Sequence, residues 1–330
     1  MTTLAPEAPY VPPVQEQPDV PVVLTPGTSG PDRLFKLILL ASGLIVTVIL
    51  GAIVLYLIVH SWPALHQSGL GFITSDDWSP PSSFGILGAL GGSVLIALVA
   101  LVVALPVSVA TALMINEFAP VRFRNWLTGV VDLLATVPSI VYGFWGLDAL
   151  SNYLYGTTVW LDHHASFIPL FRTPSVATYG NSIFVCSMVV AIMIIPIITS
   201  ITREVMSQTP RETCEAALAL GGTRWGMLND VVLPFSRNGI MGGALLGIGR
   251  AMGETMAVLL ILSSANTLTW AILGPKGLGS ISALIGLNFE QSPTITQSAL
   301  TLAGLTLFAT TLLVNLVARR VVSRSDRKKA

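Results

Sequence analysis

Six apolar runs, each long enough to cross a bilayer, constrain this chain more than anything else in it. They extend over about Leu34 to Val59, Gly85 to Ile115, Leu127 to Leu150, Tyr179 to Ile201, Gly239 to Ser263 and Ile295 to Val317. A helix needs about 20 consecutive apolar residues to span the hydrocarbon core. Lipid supplies no partner for backbone N–H or C=O groups, so runs of this kind fold as helices, whose backbone bonds close within the segment. The fold expected is all-α and polytopic, with six transmembrane helices. Composition agrees: 52% of the residues are hydrophobic and only 10% are charged, where a soluble domain carries about 25% charged residues.

The few charges are sorted by position. Arg33 and Lys36 precede the first run, and Arg122 and Arg124 separate the second from the third. Arg203, Arg211, Arg224 and Arg237 separate the fourth from the fifth. Arg319, Arg320, Arg324, Arg327, Lys328 and Lys329 follow the sixth. Together these are fourteen of the 17 Lys and Arg. The opposite loops hold Arg172 and Lys276 alone, and Arg250 lies inside a run. Cytoplasmic loops carry the basic excess in membrane proteins, so both termini are expected in the cytoplasm. Trp62, Trp78, Trp160 and Trp270 sit near run ends on the outer side, where indole rings anchor at the interface.

Residues 1–32 contain eight prolines and no hydrophobic period. They read as a disordered cytoplasmic tail, without the cationic start and short apolar core of a signal peptide. Residues 33–320 form the membrane domain, with a cytoplasmic loop over about 204–237, and residues 321–330 a basic tail. Cys186 and Cys214 have no disulfide or metal-ligand spacing. The pair His163 and His164 lacks a third ligand nearby, so no metal is expected.

The loop Glu215 to Pro234, EAALALGGTRWGMLNDVVLP, reads as a short helix, a break at Gly221-Gly222, a second helix, and a proline at the entry to the fifth run. A glycine pair permits the sharp turn, and Pro234 allows the chain to change direction as it enters the membrane. Such an element either docks a partner or packs on its own bundle.

This loop resembles the EAA signature of ABC-importer permeases: Glu-Ala-Ala, three residues, Gly, nine residues, an aliphatic, one residue, Leu-Pro. Glu215, Ala216, Ala217, Gly221, Val231, Leu233 and Pro234 stand at those spacings, with valine where isoleucine is commoner. Two further stretches are similar to motifs of the phosphate-specific permease families PstC and PstA: ATVPSIVYGFWGL (Ala135 to Leu147) in the third run and RAMGETMAVLL (Arg250 to Leu260) in the fifth. The long N-terminal extension and the unbroken Arg250-to-Val258 string favour the PstC type over the PstA type. The resemblance covers roughly residues 85–320. It implies the type I ABC importer permease fold and a loop that fits the ATPase. It also implies three kinds of partner: a second permease subunit (PstA-like), two ATP-binding subunits (PstB-like) and an external phosphate-binding protein (PstS-like). No Gly-x-x-x-x-Gly-Lys-Ser/Thr string occurs in this sequence, so ATP and Mg²⁺ belong to the partner ATPase. No cofactor and no catalytic residue are expected in this chain. Importers of other oxyanions, and a secondary transporter or channel working alone, are the alternatives.

Arg250 stands out on physical grounds. An arginine within an apolar span costs at least about 2.5–3.5 kcal/mol on insertion scales, and such residues face a polar cavity or a partner. Glu254 is one turn further on and within reach of an ion pair. The two read either as a static lock or as an anion-handling arginine with a balancing carboxylate. Guanidinium suits the second role, since its forked donors match oxyanion geometry. In the third run, Pro138 frees a carbonyl, and Ser139 and Tyr142 bring hydroxyls nearby. They line a polar passage, or they serve the backbone around a kink.

Overall fold

The computed structural model describes residues 30–171, 181–262, 271–273, 279–290 and 292–327. The tail through residue 29, Arg172, Ser263, Trp270, Lys276, Lys328 and Lys329 lie outside the described residues. In chain order the helices are α1 (Gly30–Ser68), α2 (Gly71–Thr74), α3 (Leu87–Leu113), α4 (Val121–Thr136), α5 (Ser139–Trp145) and α6 (Ser151–Ala165). They continue with α7 (Ile183–Ser207), α8 (Arg211–Ala219), α9 (Arg224–Met227), α10 (Leu233–Met252), α11 (Met256–Ile261), α12 (Ile281–Asn288) and α13 (Thr294–Arg327). A two-stranded antiparallel hairpin, β1 (Trp78–Ser79) and β2 (Ser83–Phe84), interrupts the series.

The chain divides into two units at Ala52/Ile53. In the first, the described residues are the opening turns of α1, whose Leu37, Leu40, Leu44 and Val48 are all exposed. Apolar side chains left bare on successive turns of a helix are suited to lipid. The helix starts at Gly30, three residues ahead of the boundary expected at Arg33.

The second unit is a helical bundle around α7. Of the apolar window of α7, 67% is buried, against 28% for α3 and 17% for α13, so α7 is the centre. It packs on α3 and α10, and both contacts rest on small residues. The buried line of α3 is Ala89, Ser93, Ala97, Ala100, Ala104, Ser108 and Ala112, a one-turn spacing that lets helix backbones approach. On α10 the close point is Gly239, where an added Cβ would lie 2.6 Å from Val205 Cβ. Polar links cross the same seam. Ser108 Oγ donates to the Ile195 carbonyl at 3.1 Å, and Asn116 Nδ2 donates to the Arg203 carbonyl at 2.8 Å.

Five helices are long and apolar enough to cross a membrane, and a bent pair, Val121–Thr136 with Ser139–Ala165, supplies a sixth candidate. The six-helix expectation is met on that count, with two corrections. The third run is not a straight span over Leu127 to Leu150: it turns by 88° between α4 and α5. The fifth run stops at Met252 and restarts at Met256. Pro234 also differs from expectation. The helical run Arg224–Met252 continues across it, with Pro234 the second residue of α10. A π-helical turn, Leu228–Val232, precedes it.

Candidate functional site

The bend in the third run follows from one residue. The position before a proline is driven out of the α region, and Val137 and Pro138 are both extended, with ψ of 129° and 137°. Proline 138 has no N–H to give to the carbonyl four residues back, which is that of Leu134. The Tyr142 hydroxyl supplies the missing donor at 3.0 Å, assisted by the Val137 N–H at 3.4 Å. Tyr142 thus serves the backbone at the kink, while Ser139 opens α5, half-buried. α5 is pressed onto α11: a Cβ at Gly143 would meet Ala257 Cα at 3.0 Å and Leu260 Cδ1 at 2.8 Å.

The break in the fifth run lies opposite. α10 ends at Met252, and Gly253, Glu254 and Thr255 separate it from α11. Glu254 is buried, and its Oε1 accepts from the Ala257 N–H at 3.1 Å, one of the donors that a helix start leaves free. Arg250 occupies the last turn of α10 and is exposed. There the free carbonyl ends of the helix favour a cation. The ion pair that their spacing permits is not formed: no described contact within 4 Å joins Arg250 to Glu254. One helix end holds the cation and the next helix start holds the carboxylate, so the break itself balances both charges. The packing of α5 on α11 brings the two broken runs to one place.

Arg250 opens onto a groove of about 590 Å³ lined by Gly242, Leu245, Leu246, Gly249, Arg250, Asn315 and Arg319. No carboxylate is among the lining residues. Asn315 and Arg319 were not singled out from the sequence as part of a path. The signal was present, since Asn315 is an amide inside an apolar run, and such residues face a bundle interior or an aqueous cavity.

The loop between α7 and α10 forms a second site. α8 has no buried residue. It closes on a left-handed glycine: Gly221 has φ +86°, its N–H donates to the Leu218 carbonyl at 3.0 Å, and the Gly222 N–H donates to that of Ala217 at 3.2 Å. This pair of bonds satisfies the orphan carbonyls of a helix end and requires a residue without Cβ strain at Gly221. Thr223 then opens α9, its Oγ1 accepting from the Gly226 N–H at 3.1 Å. The signature residues divide by direction. Ala217 and Leu233 pack on the cluster of Met206, Leu228 and Val232, and Val231 is half-buried. Glu215, Ala216, Gly221 and Pro234 face out. Leu220 is 91% exposed and Trp225 70%, large apolar groups bare on a projecting loop.

Beside α8, Cys214 stands near the carboxylates of Glu117 and Glu215. Burial first, and then those two charges, hold its thiol above the ordinary cysteine value. Among the described residues, no three His, Cys, Asp or Glu converge as a metal site would require. His164 turns its Nδ1 to the Trp160 carbonyl at 3.0 Å.

The chain is a many-helix bundle with five or six candidate membrane spans and a projecting loop. Residues 104–329 match the family model described as binding-protein-dependent transport system inner membrane component, and the chain belongs to that family. It is therefore a multi-pass component of the inner membrane. Two curated relatives extend the likeness over almost the whole chain. The phosphate transport system permease protein PstC 2 of Mycobacterium tuberculosis is 37% identical over 308 residues, covering 92% of this chain and 94% of the relative. The phosphate transport system permease protein PstC of Mesorhizobium japonicum is 35% identical over 302 residues, covering 89% and 91%. Among solved structures, a chain of a bacterial alginate ABC transporter, in complex with its alginate pentasaccharide-bound periplasmic protein, shares the fold. Its TM-score is 0.60 at 18% identity, covering 88% of this chain and 96% of that one.

Proposed function

We propose that this chain is one of two membrane subunits of an ATP-driven phosphate importer. In this reading it forms half of the translocation path around Arg250 and docks an ATPase through the Glu215–Gly221 end of its loop. Both termini lie in the cytoplasm, as the sorting of basic residues favours. The observation that carries the proposal is the exposed guanidinium of Arg250 at a helix break, facing a groove without a carboxylate. Such a charge is costly in a membrane unless it faces a polar cavity, and its forked donors suit a tetrahedral oxyanion. The relatives named as phosphate transport permeases support the choice of anion.

The two broken runs support the same reading. Interrupted helices at membrane depth are tolerated where they line a cavity or are buried in protein, and they supply helix ends that manage charge. Ser139 and Tyr142 at one break, and Arg250 and Glu254 at the other, are the residues assigned to the path, and of the four Arg250 lines the groove. The partners are a PstA-like permease, two PstB-like ATPases that use ATP and Mg²⁺, and a PstS-like external phosphate-binding protein.

Uptake of radiolabelled phosphate by vesicles holding the assembled complex tests the proposal. Phosphate should enter only with the external binding protein and ATP present, and uptake should stop when ATP is depleted with the ion gradient held constant. Uptake that survives ATP depletion would place the chain among secondary transporters instead.

A further inference from the structure

Asp132 is out of place for a transmembrane helix. It lies eleven residues beyond the start of α4 at Val121, about 16 Å along the helix axis. It is exposed, and its Oδ1 accepts from the Ser200 hydroxyl at 3.3 Å. A carboxylate at that depth in a bilayer is costly and normally faces the bundle interior or an aqueous cavity.

The course of α4 removes the conflict. α4 stands at 88° to the Ser139–Ala165 segment. That segment follows α7: a Cβ at Gly146 would collide with Val189, about 16 Å back along α7 from Ser200. α4 instead crosses α7 near its end at Ser207. Arg124 donates to the Asn116 carbonyl, and Asn116 Nδ2 donates to the Arg203 carbonyl. From Arg124 to Asp132, α4 advances about 12 Å, whereas Arg203 and Ser200 are about 4.5 Å apart along α7. The basic residues that follow place this end of α7 on the cytoplasmic side.

The helix register sorts the side chains to match. At 3.6 residues per turn, Phe123, Val130 and Leu134 share one flank of α4, and Asn125, Asp132 and Thr136 share the flank about 160° away. Leu127, Thr128, Val131 and Ala135 are half-buried between them, on the side toward α7. Trp126 and Leu133 are exposed on the outer side. No residue of α4 is buried in the chain's own core. A helix divided in this way, with Phe and Trp at its apolar edge and arginines in its first turn, is of the kind that lies in a membrane interface.

We propose that α4 lies in the plane of the cytoplasmic membrane surface, with the Phe123, Val130 and Leu134 flank bedded in lipid and the Asn125, Asp132 and Thr136 flank in water. The partner of the apolar flank is the lipid leaflet itself. The third crossing then belongs to Ser139–Ala165 alone, and Pro138 marks the point where the chain turns from the membrane surface into the bilayer. Asp132 meets water, and its bond with Ser200 ties α4 to α7 just ahead of the Glu215–Pro234 loop. The assignment is independent of which anion is transported.

Nitroxide depth measurements on the assembled complex in lipid nanodiscs test this. Labels are placed at Phe123→Cys or Leu134→Cys in a Cys214→Ser background, where the remaining Cys186 is fully buried. Collision with dissolved oxygen and with a water-soluble nickel chelate gives the depth of each label. In-plane placement should put both labels in lipid at depths within about 5 Å of each other. An upright α4 would separate them by about 16 Å, and that result would overturn the proposal. Labels shielded from oxygen and chelate alike would overturn it too, because protein, such as a second permease subunit, would then cover the flank. A second measurement needs no label in lipid. A membrane-impermeant maleimide should modify Thr136→Cys on the order of ten-fold faster than Leu134→Cys, since reaction follows exposure of the thiolate to water. Equal rates at the two positions would likewise overturn the proposal.

Discussion

The Tyr142 hydroxyl donates to the Leu134 carbonyl at 3.0 Å, across the bend that Pro138 creates. The acceptor is the carbonyl that proline leaves without its helical donor. The bond therefore ties the two sides of an 88° turn together, and it fixes where α5 begins relative to the groove-bearing helices.

The tie predicts a non-additive pair of substitutions. Tyr142→Phe should lower the thermal stability of the purified chain by about 1 kcal/mol, the usual net value of such a bond. Pro138→Ala restores an N–H that can reach Leu134, so Tyr142→Phe in that background should cost little. Thermal unfolding of the two single variants and the double variant gives the coupling directly. Equal losses from Tyr142→Phe in both backgrounds would mean that the hydroxyl does not serve the proline-freed carbonyl.

Gly221 offers a second test. Its φ of +86° is strained for an L residue by roughly 1–2 kcal/mol, and the strain falls on an exposed loop away from the bundle core. Gly221→Val should leave membrane abundance unchanged while ATPase association and phosphate uptake fall together. Full association and uptake in that variant would remove the loop from the coupling path. Gly222 should be sensitive too, because a Cβ there would lie 2.6 Å from the Ala217 carbonyl oxygen.

The two sites differ in how far the sequence alone reveals them. The first half of the loop, a short helix and a break at Gly221-Gly222, was legible because its structure is local, whereas the run of α9 through Pro234 into α10 was not. A short helix, a glycine at the left-handed position and a threonine cap are all set by neighbours within a few residues. The sorting of side chains within it was not legible, since Ala217 turns inward against Met206 and Leu228 while Ala216 turns out. Arg250 and Glu254 show the opposite balance. Their spacing suggests an ion pair, which presupposes an unbroken helix. The break at Gly253–Thr255 depends on tertiary packing and gives each charge a different helix end. The bend at Pro138 was half visible: proline announces a freed carbonyl, but the turn angle is set by the packing of α5 on α11. Asn315 and Arg319 join Arg250 only through the course of α13 along α10, a contact between distant parts of the chain.

Cys214 provides a chemical probe of the loop. Cys186 is fully buried in the core, so alkylation of the folded chain reports Cys214. Burial and the carboxylates of Glu117 and Glu215 raise the Cys214 thiol above its ordinary value, which lowers the thiolate fraction at any pH below it. Removing a neighbouring negative charge favours the thiolate. Glu215→Gln and Glu117→Gln should each speed maleimide labelling, on the order of two-fold at mildly alkaline pH, because the gain in thiolate outweighs the accompanying fall in nucleophilicity. Unchanged rates in both variants would show that the two charges do not act on the thiol.

The last prediction separates the roles of Arg250 and Glu254. A buried lock would fail when either partner is removed, since the other charge would be left unpaired. The structure has a different arrangement: Arg250 is exposed, and Glu254 directs Oε1 to the Ala257 N–H. Glu254→Gln keeps an oxygen acceptor for that N–H, so the complex should assemble and phosphate uptake should be reduced but not lost. Glu254→Ala removes the acceptor and should cost about 1 kcal/mol of stability as well. Arg250→Gln should abolish uptake while assembly persists. Arg250→Lys should keep part of it, because a point charge remains where the fork is lost. In the double variant Arg250→Gln with Glu254→Gln, uptake should stay abolished, since neutralising both groups still leaves the helix break without its guanidinium. Recovery of uptake in that variant would mean that the two residues were only balancing each other, and Arg250 would then be a structural residue and not part of the anion path.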